Sequence, residues 1–394
     1  CHDRDQPNKK IKESAMNFGL TEEQEFLKEN ARRFLETECP LTFVRQMMEG
    51  ETAHSQELWS KLVDLGWLGL IYPEAYDGQD GTLMDLVVVA EEIGRMVMPG
   101  PFFSTVMLGG LPILEGGSES MKTDILTRVA QGECLLTLAL LEANGRMDAG
   151  GIGLVAQRRG DNFTLNGTKL FVPDAHVADY LIVVARTSRR SGRDRGITLF
   201  LVDINSAGLR CTALETADMT RRLCEVRLEN VSVPENQIVG KLDEGWSLAR
   251  RTLDWTLVAF CAEAVGLSEK TLELFVSYSK ERTQYGRLIG SFQALQHKCA
   301  NLLVKIEEGK SLTYYAAWAV AEDVPEAPTA VAMAKAFCGE LARKATSEGI
   351  QLFGGIGFTW EHDVHLYHRR GIAAELNFGT PSYHRELVAQ SLGL

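Results

Sequence analysis

The sequence predicts an α+β chain, mainly α, built as a helical unit, an antiparallel β unit and a second helical unit. Three observations lead to this reading. Apolar residues recur at helical spacing from Leu20 to Ala130, a β-rich stretch with an Asn-Gly dipeptide follows Leu135, and helical spacing returns after Gly245 with few breakers. A chain of 394 residues is expected to divide into two or three packed units rather than one core. The expected boundaries are 16–132 for the N-terminal α-helical domain, 133–240 for the middle β domain and 241–394 for the C-terminal α-helical bundle.

Each element has a local reason. Thr21 and Gln24 form a capping box, and Phe26, Leu27, Ala31, Phe34 and Leu35 then make one apolar stripe. A second helix over Glu57–Leu65 stops at Gly66, suited to a left-handed cap. Helical patterns recur over Leu83–Arg95 and Lys122–Ala130. In the middle unit, Phe163–Val172 reads as strand, Asn166-Gly167 turn and strand, a hairpin. Leu181–Thr187 and Ile197–Asp203 are further strands, joined by the arginine-rich loop Ser188–Gly196, and Arg221–Leu228 and Ile238 add shorter ones. Leu248–Glu281, Phe292–Lys310 and Ala330–Phe353 are long helices with short connections, which favours an antiparallel bundle.

Composition narrows the function class. Hydrophobic residues at 45% and charged residues at 24% are ordinary for a globular protein, and a net charge of −12 argues against nucleic-acid binding. No apolar run reaches the roughly 20 residues that span a bilayer. The eight cysteines are scattered, with no CxxC pair, and read as buried thiols in a reducing, cytoplasmic setting. Cys1–Ala15 is polar, which excludes a secretory signal; Met16 reads as the natural start, with residues 1–15 a disordered leader or expression remnant.

Two segments carry the chemistry: Arg282-Thr283-Gln284-Tyr285-Gly286-Arg287 with Phe292-Gln293, and Gln351-Leu352-Phe353-Gly354-Gly355-Ile356-Gly357-Phe358. Taken alone, Gly354-Gly355 is a helix cap or tight turn and Arg282 a solvated helix charge. Other landmarks fall in order around them: Glu91-Glu92-Ile93-Gly94-Arg95, Leu165-Asn166-Gly167-Thr168-Lys169, Val233-Pro234-Glu235, Ala264-Val265-Gly266 and Phe378-Gly379-Thr380. With this α–β–α order, the chain resembles the acyl-CoA dehydrogenase family from Phe18 to Leu394.

The resemblance implies a four-helix C-terminal bundle, FAD held between subunits, and a homo-oligomer (a dimer of dimers) or a heterotetramer with a related subunit. Positions matching Arg282, Gln284, Tyr285, Phe292 and Gln293 contact or pack along the dinucleotide, and those matching Gln351, Gly354, Gly355 and Thr380 hold its adenine-diphosphate end. An arginine offers phosphate a charge-assisted donor, and paired glycines let backbone approach it. Phe171 would cover the flavin ring. The implied reaction is α,β-dehydrogenation of an acyl-CoA thioester with hydride transfer to flavin N5, and electrons passing to an electron-transfer flavoprotein.

The proton-abstracting carboxylate is missing. In most of the family it precedes the Gly-Thr matching Gly379-Thr380, where this chain has Phe378; in a minority it stands at the position of Thr256, which is no base at neutral pH. Leu141, Phe171-Val172-Pro173 and Leu257 also depart from the family's polar contacts to flavin and thioester. Glu263, in an apolar run of the same long helix, is the candidate for a relocated base, weighed against a buried glutamate paired with an Arg or His of a neighbouring helix. Asp254 reads as solvated or capping, and Glu375 as a weaker candidate. His362, His365 and His368 read as structural, with no metal site expected. The alternatives to an active dehydrogenase are a half-site partner subunit, whose companion carries the glutamate, and a flavin monooxygenase on the same fold.

Overall fold

The computed structural model describes residues 19–188 and 194–394. The expected leader over 1–15 and three of the four arginines of the 188–196 loop lie outside the described residues.

The N-terminal unit holds helices α1 (Glu22–Glu38), α2 (Leu41–Glu49), α3 (Gln56–Asp64), α4 (Leu83–Arg95), α5 (Gly110–Gly116) and α6 (Glu119–Ala130). The capping box at α1 is present, with the Thr21 hydroxyl accepting from the Gln24 amide and the Gln24 side chain accepting in return. Gly66 follows α3 at φ +69°, the left-handed cap. Helix α4 is buried along nearly its whole length because the longest helix of the chain, α7 (Trp246–Glu281), lies against it. Their backbones meet at two glycines: a Cβ on Gly94 would fall 2.1 Å from the Glu263 carbonyl oxygen, and one on Gly266 1.9 Å from that of Glu91.

The middle unit is one sheet of β1 (Leu136–Ala139), β2 (Val155–Arg159), β3 (Asn162–Pro173), β4 (Tyr180–Arg186), β5 (Ile197–Asp203), β6 (Leu209–Leu214), β7 (Leu223–Pro234) and β8 (Ile238–Val239). Its order is β6-β7-β3-β2-β4-β5-β8, with β1 parallel to β4. The expected hairpin turn at Asn166-Gly167 is not there. Both residues lie inside β3, where the register with β7 slips between Leu165 and Gly167. Two contacts keep the strand running: the Asn166 side chain accepts from the Asn230 amide at 2.8 Å, and Gly167 lets Leu154 approach closer than a side chain would allow. A second slip, between Lys169 and Val172, turns Phe171 to φ +54° and half out of the sheet.

After α7 come the short strands β9 (Thr283–Gln284) and β10 (Arg287–Leu288), then α8 (Gln293–Ala321), α9 (Ala327–Phe353), α10 (Val364–Leu376) and α11 (Pro381–Ser391). One apolar core runs through both helical units and a second fills the sheet. No described helix is long and apolar enough to cross a membrane.

Candidate active site

The sequence-predicted cofactor residues fall into two groups. The first lies where α7 ends. Tyr285 and Gly286, at φ +52° and +76°, make a two-residue turn between β9 and β10. Tyr285 is 92% exposed, meets the Phe292 ring edge-on at 6.2 Å, and the Arg287 guanidinium sits 4.0 Å over that ring. Arg282, Gln284 and Gln293 are exposed, and Arg282 makes no ion pair among the described residues. Gln351 and the glycines join this group through an apolar cluster that includes Phe275, Phe292, Leu352 and Phe353. Helix α9 stops at Gly354, whose φ of 69° and ψ of −141° only glycine adopts freely. A Cβ on Gly354 or Gly355 would meet nothing within 4 Å, so backbone there faces open space.

An exposed, unpaired guanidinium beside bare, open backbone fits an anionic dinucleotide. Arg282 would hold its diphosphate, and Gly354 and Gly355 would let it approach. Arg282→Ala is expected to lower the flavin-to-protein absorbance ratio after gel filtration about tenfold; undiminished flavin content would remove that role.

Phe171 belongs to the second group, around an inner cavity of about 380 Å³ between the sheet and the C-terminal helices. Leu141, Phe171, Pro173 and Leu223 form one wall; Phe260, Ile372, Leu376 and Phe378 face them, and Asp218 and Arg221 bring charge to the lining. Among the described residues, the three aromatic ones in the left-handed region are Phe171, Tyr285 and Phe378. Each costs on the order of 1 kcal/mol of backbone strain, and all three occupy positions singled out for the flavin or the base. Thr380 stands apart from both groups, its hydroxyl capping α11 at the Tyr383 amide.

Glu263, the candidate base, is taken up in a buried charge cluster. Arg221 reaches it at 2.9 Å, and Arg370 of α10 bonds both Glu263 and, at 2.6 Å, Asp218. Thr220 bonds Arg370 and Asp218. Two guanidiniums against one carboxylate fix its orientation, which suits a structural counter-ion and not a carboxylate that must swing to a proton. Although burial pushes the Asp218 carboxyl up, Arg370 and Thr220 hold it below the ordinary range.

Phe378 stands where the resemblance leads one to expect a carboxylate. It is buried and stacks on Phe260 with ring centroids 5.9 Å apart. The turn that carries it is tightly held: the buried Lys335 ammonium donates to the carbonyls of Ala374 at 3.0 Å and Gly379 at 3.2 Å, and His384 Nε2 donates to that of Phe378 at 3.0 Å.

Burial lowers the His384 imidazole to about 4. Its folded value lies below the ordinary 6.5, so the unfolded chain binds more protons between these limits and stability falls as pH drops from 6.5 through 4. The full span is worth about 3 kcal/mol. His384→Gln should flatten the decline in melting temperature over that window; an unchanged slope would contradict this origin.

The other candidate positions are occupied as well. The fully buried Thr256 hydroxyl donates to its own helix at the Thr252 carbonyl, 2.7 Å away. Glu375 bonds Arg343 at 3.0 Å. Asp254 is not solvated as expected: its side chain is 13% exposed and pairs with Arg250 at 3.1 Å, because the turn carrying Phe378, Tyr383 and His384 packs over it. Burial raises the Asp254 carboxyl, opposed by Arg250. His365 bonds the Trp360 carbonyl, His368 the Thr346 hydroxyl and His362 the Val364 amide, so each has a separate partner.

Sequence reading missed Arg221, Asp218 and Lys335. Their only local signal was charge inside otherwise apolar or β-rich runs, which does not distinguish a buried ion pair from a solvated face. It also missed a surface groove lined by Arg250, Arg251, Trp255 and Asp323 near Pro325 and Pro328.

Three family models match in order: the acyl-CoA dehydrogenase N-terminal domain over residues 21–133, the middle domain over 137–231 and the C-terminal domain over 243–393. The chain is 31% identical to the probable acyl-CoA dehydrogenase YngJ of Bacillus subtilis, over 96% of this chain and 100% of that one. Among solved structures, butyryl-CoA dehydrogenase from Megasphaera elsdenii superposes with a TM-score of 0.88 at 28% identity, covering 96% of this chain and 100% of that one. The ChsE4–ChsE5 complex from Mycobacterium tuberculosis gives a TM-score of 0.88 at 26% identity, covering 96% and 99%. The chain belongs to the acyl-CoA dehydrogenase family and is an FAD-dependent oxidoreductase of the class that acts on CH–CH groups.

Proposed function

We propose that this chain serves the α,β-dehydrogenation of an acyl-CoA thioester as one half of a heteromeric enzyme, with the proton-abstracting carboxylate supplied by a related companion. One observation carries the reading: Phe378 and Thr256 fill both base positions, and the nearby Glu263, Asp218, Asp254 and Glu375 are each paired with an arginine. When bound, FAD supplies the hydride acceptor. Arg282, Gln351 and the Gly354-Gly355 backbone grip the dinucleotide from this subunit, and Phe171 covers a ring in the inner cavity. The likeness to a complex of two differently named chains supports a heteromeric assembly, such as a heterotetramer with a related subunit. An electron-transfer flavoprotein is the expected acceptor, in a cytoplasmic setting.

A second reading, turnover by this chain alone through a relocated base, has Asp254 in its favour, a carboxyl raised by burial close to Phe378. The test is to purify the chain alone and co-purified with a related chain that keeps the glutamate. Each is mixed with butyryl-, octanoyl- and palmitoyl-CoA and an artificial electron acceptor. Turnover only in the mixed assembly supports the half-site reading. Turnover by the chain alone, abolished in Asp254→Asn or Glu263→Gln without unfolding, would replace it with the second.

A further inference from the structure

The expectation of buried thiols holds for Cys39, Cys134, Cys224, Cys261 and Cys338, whereas Cys211 and Cys299 reach the surface in part. Cys211 lies on β6, the edge strand of the sheet. The strand register sets Cys211 opposite Val226 and Ala213 opposite Cys224, so the two cysteines are diagonal neighbours on one face of the sheet. That face packs into the sheet's own core, while Leu223, next to Cys224 along β7, lines the inner cavity. Successive side chains of a strand point to opposite faces, so this pair of thiols stands apart from the cavity.

The Cys211 sulfur bonds that of Cys224, and Cys224 Sγ lies 3.8 Å from Nδ1 of His176. The far nitrogen of that ring, Nε2, is 2.9 Å from the Thr52 carbonyl oxygen. A carbonyl only accepts, so Nε2 carries a proton and Nδ1 is left to take one from the thiols. Asp174 and His54 also act on this ring, Asp174 favouring its cation and His54 opposing it. The Cys224 bond holds the Cys211 thiol below its ordinary value against burial, and the same bond, with burial, pushes the Cys224 thiol up. Although burial opposes it, Cys224 and Thr52 raise the His176 imidazole. A thiolate on Cys211, a neutral thiol on Cys224 and an imidazolium on His176 satisfy all three directions. The thiolate is the nucleophilic form of cysteine. At Cys299, by contrast, burial pushes the thiol up.

We propose that Cys211 is a modification site that exchanges with low-molecular-weight disulfides, its proton passing through Cys224 to His176. The Cys211 thiolate attacks one sulfur of the disulfide, and a new S–S bond forms as the old one breaks. The departing thiolate takes the proton held on the cluster and leaves as a thiol. Cys211 is oxidised, the small disulfide is reduced, and no further reagent is needed. The exchange stops at the mixed disulfide, because diagonal Cα atoms are about 7–8 Å apart and a bridge between two cysteines needs roughly 7 Å or less.

The test treats the FAD-loaded chain, its thiols reduced, with glutathione disulfide over a series of pH values and follows Cys211 and Cys299 by peptide mapping without reductant. At neutral pH Cys211 is expected to gain one glutathione about tenfold faster than Cys299, with its rate half-maximal below the ordinary thiol value of about 8.5. His176→Gln keeps a donor for Thr52 but cannot hold the second proton. It should slow Cys211 about 3- to 10-fold at neutral pH and move the half-maximal pH upward. Failure of Cys211 to gain glutathione, reaction of Cys299 at the same rate, or a Cys211–Cys224 disulfide in place of the adduct overturns the proposal without any variant. An unchanged rate and pH profile in His176→Gln also overturns it, by removing the proton path.

Discussion

Phe378→Glu is expected to give the FAD-loaded chain a dehydrogenation rate about 10²–10⁴-fold above its own background, the usual contribution of a positioned general base. The position is prepared for it. The turn already has its left-handed residue at φ +53°, so a glutamate inherits a backbone that is already held, with Lys335 on the Gly379 carbonyl and His384 on the residue's own. The side chain lines the inner cavity, which would place a carboxylate against the bound acyl group. Losing the Phe260 stack should lower stability by about 1–3 kcal/mol, so activity is to be read well below the melting transition. Thr256→Glu, at the minority position, is the comparison. Flavin bleaching by butyryl-, octanoyl- and palmitoyl-CoA measures both. A folded, flavin-loaded Phe378→Glu protein that binds thioester without bleaching would show that more than the base is missing, with Leu141 and Pro173 the first places to look.

The largest effect on stability should come from Arg370. It is 2% exposed and bonds Asp218, Glu263 and Thr220 at once, joining α10, α7 and the segment before β7. Arg370→Met leaves Asp218 without its arginine and Glu263 with Arg221 alone, and removing one partner of a buried ion pair costs about 3–5 kcal/mol. Arg370→Lys, which keeps the charge but not the forked geometry, should lose clearly less. Denaturant unfolding of the three proteins checks the order. A melting midpoint in Arg370→Met equal to the wild type would mean that the cluster does not hold these elements together.

Much of this was legible in the sequence because it was local. The Thr21 capping box, the α4 limits and the three long C-terminal helices follow from caps and apolar spacing, which neighbouring residues decide. The Asn166-Gly167 hairpin misled for the opposite reason. The dipeptide favours a tight turn in isolation, but pairing of β3 with β7 on its far side and the Asn230 amide hold the strand straight through it. The candidate cofactor residues stand out only as two motifs in order, since each alone reads as a cap or a surface charge. Glu263 shows where reading along one helix ends: its two arginines come from residues 42 and 107 positions away, and no spacing rule brings them together. The turn angle of its own helix points Asp254 to a solvated or capping role, whereas the segment around Phe378 lies against it.

The most direct test of the central claim is exchange of the substrate α-proton in deuterated water, read by mass spectrometry on octanoyl-CoA incubated with the FAD-loaded chain in the absence of any companion. On the half-site proposal, in which Phe378 and Thr256 occupy the base positions, the wild-type chain should incorporate no deuterium above the solvent background, while Phe378→Glu and the assembly with a glutamate-bearing companion both should. Exchange catalysed by the unaccompanied wild-type chain at the rate of Phe378→Glu would contradict the account.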